Sequence, residues 1–194
     1  MKNKILIIVI FLLTYFGFSQ TNTVDINDGI YISEAPAGTY VKDMYGTFTK
    51  YLGTWKYQNG NAILIFKLEK VARHYYSKYN AYEDFIKGNY SYSTDGGNTY
   101  IVNTIVQNVG NNDPNTNPMY TYREEDDQLS IIFGFQDVVY NKKADAKFTF
   151  TNPSNLNEIH FKLIEREGQG YLYPTPLPPA GFSIPDDLTL IKVN

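Results

Sequence analysis

The residues in this chain that could do chemistry are few and scattered. His74 and His160 are the two histidines, and a catalytic zinc takes three protein ligands plus an open position. No His-Glu-x-x-His spacing occurs, and there is no cysteine to act as nucleophile, thiolate ligand or lipid anchor. Gly17-Phe18-Ser19 and Gly181-Phe182-Ser183 both lack the second glycine of a nucleophile elbow. Four carboxylates, Glu83, Asp84, Asp137 and Glu165, fall in strand-like runs. Two of them facing one cleft could hydrolyse a glycoside, but no spacing pairs any two. Asp84 lies in line with Ile86 and Asp137 in line with Phe135, on otherwise apolar faces. A buried acid is either partnered or functional. Glu124-Glu125-Asp126-Asp127 reads as a solvated acidic turn rather than a calcium site, and Asp25-Ile26-Asn27-Asp28-Gly29 lacks the later Glu of a calcium loop. The expectation is a protein with no catalytic residue, no metal and no cofactor.

Aromatic rings offer a different chemistry, that of binding. The chain has 18 Tyr, 12 Phe and one Trp. Phe66, Tyr90, Tyr92, Phe133, Phe135, Phe148 and Phe161 fall at alternate positions with other apolar residues, so each is expected on the inward face of its run. Such rings either fill a core or line a pocket. Tyr90, Tyr92, Phe133 and Phe135 are the candidate ligand-binding residues, the tyrosines because they join a ring to a polar tip.

Short alternating runs separated by turn residues must position these side chains. Gly53–Gln58 is the first strong strand. Asn59-Gly60 signals a tight type I′ hairpin, and Asn61–Lys70 returns with Ala62, Leu64, Phe66 and Leu68 on one face. Residues 71–81 fit a short helix or a strand extension. Further strands are expected over 82–93, 99–106, 128–140, 146–151, 158–166 and 188–193. Residues 21–47 form an extended N-terminal segment, and 168–185, rich in Pro and Gly, a covering C-terminal one. About eight to ten strands joined in sequence pair as antiparallel neighbours. The predicted fold is therefore all-β, a single antiparallel barrel that hides its edges, with a two-sheet sandwich as the alternative.

Gly53-Thr54-Trp55 resembles the Gly-x-Trp that opens the first strand of lipocalin-like barrels. That resemblance implies a structural pair: Trp55 plugs one barrel end, and Lys192 of the last strand packs within about 6 Å of the indole. A wider set is similar to a family of small exported proteins of unknown function from flavobacterium-type bacteria. It comprises Gly38-x-Tyr40, Tyr51–Tyr57, Tyr82-Glu83-Asp84, Gly88-x-Tyr90-x-Tyr92 and Gly181-Phe182-Ser183-Ile184-Pro185. The resemblance implies export and a compact β domain, and brings no activity.

Export is also written in the first residues. Lys2 and Lys4 precede an apolar run from Ile5 to Phe16, and Gly17-Phe18-Ser19 offers a cleavage site, the three-part layout of a secretory signal over 1–20. The run is shorter than the roughly 18–20 residues of a membrane helix, so the mature chain, 21–194, is expected to span no membrane. Of 17 basic residues two lie in this leader, against 20 acidic ones in the whole chain. That excess of acid excludes nucleic acid, which needs a basic face. The sequence thus describes a periplasmic or extracellular, non-catalytic binding protein. Its partner is a small apolar or aromatic-compatible ligand or another envelope component. The alternatives are an interaction module with a filled core and, more remotely, a carboxylate hydrolase.

Overall fold

The computed structural model describes residues 22–107, 110–121, 124–165 and 179–193. The expected leader and residues 168–178 of the Pro/Gly-rich segment lie outside the described residues. The strands are β1 (Thr23–Asp25), β2 (Tyr40–Lys42), β3 (Gly53–Asn59), β4 (Ala62–Tyr76), β5 (Ala81–Ser93), β6 (Val102–Asn103), β7 (Met119–Thr121), β8 (Ser130–Asp137), β9 (Lys142–Thr149), β10 (Glu158–Glu165) and β11 (Asp187–Val193). A 3-10 turn covers Thr47–Lys50, and one helical turn covers Thr104–Gln107. No helix among the described residues is long and apolar enough to cross a membrane.

Eight strands close into an antiparallel barrel in the order β3-β4-β5-β7-β8-β9-β10-β11, with β11 returning to pair β3. Closure removes the two-sheet alternative. It rests on two short seams. Ile191, Lys192 and Val193 pair Lys56, Trp55 and Thr54 at one. Ile86, Lys87 and Gly88 pair Thr121, Tyr120 and Met119 at the other. Gly88 sits between Leu68 and Met119, and a Cβ there would stand 2.9 Å from Leu68 Cδ2. The second seam thus depends on a missing side chain.

Local chemistry decides where several runs end. Between β3 and β4 the loop is Gly60-Asn61, because Asn59 already pairs Ala62. The left-handed φ of 56° falls on Gly60, the pattern of a II′ turn rather than the expected I′. The strand expected over 99–106 shrinks to β6. Thr104 Oγ1 accepts from the Tyr90 N–H at 2.8 Å and donates to the Tyr90 carbonyl at 3.0 Å. A side chain takes the ladder bonds there, and the backbone turns away. Residues 71–76 continue β4, with a bulge between Val71 and His74.

The barrel interior is a packed stack of rings. Phe66 lies 4.7 Å from Phe161 and 5.3 Å from Phe148, and Tyr90 lies 5.1 Å from Phe135. Leu64, Leu68, Ile131, Ala146, Ile159 and Leu190 complete this core. Phe48 and Tyr51, at the 3-10 turn, seal one end and are fully buried. Trp55 is buried beside them, its Nε1 donating to the Tyr51 carbonyl at 2.7 Å. Lys192 Nζ stands 5.1 Å from the Trp55 ring and donates to the Lys50 carbonyl. Burial holds the Lys192 amine below the usual lysine range. Gly53, at φ 116°, leaves room for the Lys192 stem, whose Cε lies 3.2 Å from where a Cβ would be.

At the opposite end, the Gly181-Phe182-Ser183 segment is tied to the barrel. Asp137 accepts from the Ser183 N–H at 2.6 Å and from its hydroxyl at 2.8 Å. Lys142 Nζ donates to the Gly181 carbonyl at 2.7 Å and lies over the Phe182 ring. Removal of Trp55 should be costly in a chain with no disulfide. Trp55→Ala is expected to lower the unfolding free energy by about 3–5 kcal/mol, read from urea denaturation; a loss below about 1 kcal/mol would show that the end plug holds without the indole.

Candidate ligand-binding cleft

A network of charges at the sealed end positions the site. Asp84, on the inner row of β5, accepts from the Tyr40 hydroxyl at 2.6 Å and from the Arg73 N–H at 2.9 Å. It also accepts from the Asp43 N–H at 3.2 Å and pairs Lys70 Nζ at 3.0 Å. Burial alone would raise its pKa. The hydrogen bonds from Tyr40, Arg73 and Lys70 outweigh that and hold it below the usual carboxylate range. Asp43 shares Lys70 at 2.9 Å and caps the 3-10 turn through the Thr47 N–H. This one cluster joins β2, β4, β5 and the end plug. Its stabilisation is present above the ordinary Asp value and is lost as pH falls through the depressed one.

The bulge that Asp84 holds also changes which way β4 faces. Up to Lys70 the even-numbered residues of β4 point inward. Arg73, at φ 54°, is the extra residue, and an extra residue reverses the alternation. His74 and Tyr76 therefore join Glu83 and Phe85 on the outer surface, with His74 directly opposite Glu83. The His74 ring meets Tyr76 at 4.7 Å and Phe85 at 5.5 Å, both edge to face.

Over this outer face the N-terminal segment folds back, and a cleft of about 700 Å³ remains between them. Its walls include Tyr31 of that segment, His74 and Tyr75 of β4, Tyr79 of the turn after it, Glu83 of β5 and Ile132 of β8. Tyr75 is held by its hydroxyl donating to Asn80 Oδ1 at 3.0 Å and by the Tyr82 ring at 5.1 Å.

Glu83 is the unusual member. The residue is 3 % exposed, and its Oε2 has no hydrogen-bond partner among the described residues. Burial first, and the charge of Asp84 second, push its carboxyl up to about 8. Adjacent acids on one strand thus have opposite characters. Asp84 is an anion held by four donors; Glu83 is a neutral acid whose Oε2 is unsatisfied.

The other sequence candidates fall elsewhere. Tyr90, Phe133 and Phe135 are buried in the ring stack. The Tyr90 hydroxyl donates to the Gln136 carbonyl and accepts from the Val138 N–H, each at 3.1 Å. Tyr92 is half-buried against the same core. Phe135 also borders a separate surface cavity beside Gln136 and Lys143. Among Glu83, Asp84, Asp137 and Glu165, Glu83 alone lines one of the three principal cavities. Asp137 is spent on Ser183, and Glu165 pairs Lys142 at 3.0 Å. His160 lies on a half-exposed strand face, paired with Asp187 at 2.8 Å. In the acidic run, Glu124 is buried, accepts the Tyr51 hydroxyl and pairs Lys50, while Asp127 accepts the N–H groups of Leu129 and Ser130. The run is a partnered turn rather than a wholly solvated one.

The wide match is one of family, and it extends over the chain. The profile of a family of unknown function, DUF6705, covers residues 1–193. The chain belongs to this family. No curated protein and no solved structure matches it. In this DUF6705 barrel, the Glu83 cleft holds a buried carboxyl oxygen that packing alone does not explain.

Glu83 makes stability depend on pH. Its folded value lies above the ordinary 4.5, so ionisation favours the unfolded chain. The contribution is neutral below about pH 4.5, and stability is lost as pH rises toward 8. At about 1.4 kcal/mol per unit, the full loss is on the order of a few kcal/mol. Glu83→Gln should flatten this part of the profile and leave the variant more stable than wild type at pH 8. Denaturation curves that stay parallel from pH 5 to 8 would show that Glu83 titrates normally.

Proposed function

We propose that this DUF6705 protein is an exported, non-catalytic binding protein, and that its ligand enters the cleft beside Glu83 rather than the barrel lumen. The observation that carries this reading is Glu83 itself, a nearly fully buried carboxyl with an unsatisfied oxygen bordering a cleft of ligand size. Leaving a buried polar atom unpaired costs about 1–3 kcal/mol, a cost that a bound hydrogen-bond donor would remove. The ring stack in the lumen argues for moving the site outward, because Tyr90 packs on Phe66 and Phe135, and Phe133 packs on Phe148. Ligand sites join apolar surface to placed polar groups, and the cleft combines both in comparable measure.

Export rests on the leader pattern of Lys2, Lys4, the apolar run and Gly17-Phe18-Ser19. The division into a signal over 1–20 and a mature β domain over 21–194 belongs to the same reading. The mature protein from its native host should begin within a residue or two of Gln20. N-terminal sequencing that returned Met1 from a membrane fraction would end the export reading.

A second reading, an envelope interaction module, is favoured by the filled lumen together with the exposed rings of Tyr45 and Tyr100. A thermal-shift screen of amines, sugars and lipids separates the two. Wild type would be compared with Ile132→Trp, which fills the cleft, and Tyr90→Phe, which removes one lumen hydroxyl. The binding reading expects stabilising ligands that Ile132→Trp loses and Tyr90→Phe keeps. Ligands lost only by Tyr90→Phe would return the site to the lumen, and no stabilising ligand at all would favour the interaction module.

A further inference from the structure

Resting on the cleft as a binding site, we propose that its ligand carries a primary ammonium group on an apolar or aromatic body, and that the ammonium docks on the Glu83 carboxyl. Three independent features support this class.

First, Glu83 Oε2 finds no donor among the described residues, and Glu83 lines a cleft whose other walls combine rings and aliphatic groups with polar side chains. An ammonium supplies both the missing donor and the missing charge, and charge-assisted hydrogen bonds are the strong ones.

Second, the rings suit a cation. His74 and Tyr76, which share the outer face of β4, line the same cleft with Tyr31 and Tyr79, and an ammonium within about 6 Å of a ring face is attracted to it. Tyr79 already holds one: Lys78 Nζ sits 5.1 Å from its centroid.

Third, the field around the mouth is negative. A second cavity shares Gly29 and Glu125 with the cleft and is bordered by Asp25, Asp28, Glu124 and Asp126. Lys50 is the one lysine on its lining, and it is paired with Glu124. Carboxylates outnumber lysines along the two cavities, where the lysines are Lys78, held over the Tyr79 ring, and Lys50, and a predominantly acidic border concentrates ligands of the opposite sign.

The proton balance follows from the groups that face Glu83. They are His74, Tyr75 and Tyr76 from β4, Lys78 and Tyr79 from the turn, Tyr31 from the N-terminal segment and Glu125 from the approach to β8. Asp84 adjoins it on its own strand. In the empty cleft at neutral pH the Glu83 carboxyl keeps its proton, its value standing at about 8. When an ammonium docks, that proton leaves to solvent, and a carboxylate–ammonium pair remains. An amine of ordinary basicity, near 10, stays charged throughout. Binding therefore releases close to one proton at pH 7, and affinity rises by up to about tenfold per unit between pH 6 and 8 before levelling off.

Calorimetry with 2-phenylethylamine and its neutral counterpart 2-phenylethanol tests this, run at pH 7 in two buffers of different ionisation enthalpy. The expected result is amine binding with proton release, an affinity at least tenfold above that of the alcohol, and loss of both differences in Glu83→Gln. A blocked lysine, N-acetyl-lysine methylamide, distinguishes a side-chain ammonium from that of a free amine. Equal binding of the amine and the alcohol, with no proton released, would overturn the ammonium class and leave the cleft as a binding site. No binding of either phenyl probe by wild type would also overturn it. The wider reading would then stand or fall by the screen with Ile132→Trp. Because Glu83→Gln replaces a neutral acid by a neutral amide of the same size, the variant is expected to retain its fold, and retained amine affinity in it would count directly against the proposal.

Discussion

The Asp84 carboxylate holds the sealed end of this barrel together. Four donors converge on it, from Tyr40, Asp43, Arg73 and Lys70. Each belongs to a different part of the chain: β2, the loop before the 3-10 turn, the bulge and the inner row of β4. A buried charge is tolerated only when its bonds are complete, so these parts are fixed together or not at all. Through Arg73 the bulge is held, through the bulge His74 and Tyr76 are turned outward, and through Tyr40 the strap that covers them is anchored. The cleft is a consequence of that one satisfied anion.

Glu83 shows what happens one residue away. It has the same chemistry and the same strand, and its side chain leaves by the opposite face, where it is buried and makes no ion pair among the described residues. Asp84's own negative charge adds to the penalty on ionising it. The satisfied acid thereby helps to keep its neighbour neutral.

The aromatic lumen sets the other constraint. An eight-stranded barrel is just wide enough for side chains to fill it or for one small ligand. Here the rings of Phe66, Phe148 and Phe161 meet at 4.7–5.3 Å, and the tryptophan plug closes the end next to them. The interior serves stability, which a chain without disulfides must draw from packing. The proposed binding site accordingly lies outside the lumen, where the N-terminal segment and the β4–β5 hairpin meet.

Much of the fold was legible because strand alternation is a local property. The period-two runs 64–68, 131–135, 146–150 and 159–163 define the inward faces, and the Gly53-Thr54-Trp55 opening with Lys192 marks the plugged end. The acids Asp84 and Asp137 stand out in the sequence as polar residues on apolar faces, and both proved to be fully partnered anchors. The role of Glu83 was not legible. Its burial depends on a chain segment some 50 residues earlier folding back over it, and its neighbours His74 and Tyr76 reach its face only because one extra residue at Arg73 reverses the parity of β4. The aromatic residues could be assigned to an inner face from alternation, yet whether rings on that face enclose space or consume it depends on how eight strands curve together. The sequence alone therefore determined which residues share a face, since that follows from bond geometry between neighbours. Only the tertiary structure decided which buried acid finds its counter-charge, because that depends on distances between residues far apart in the chain.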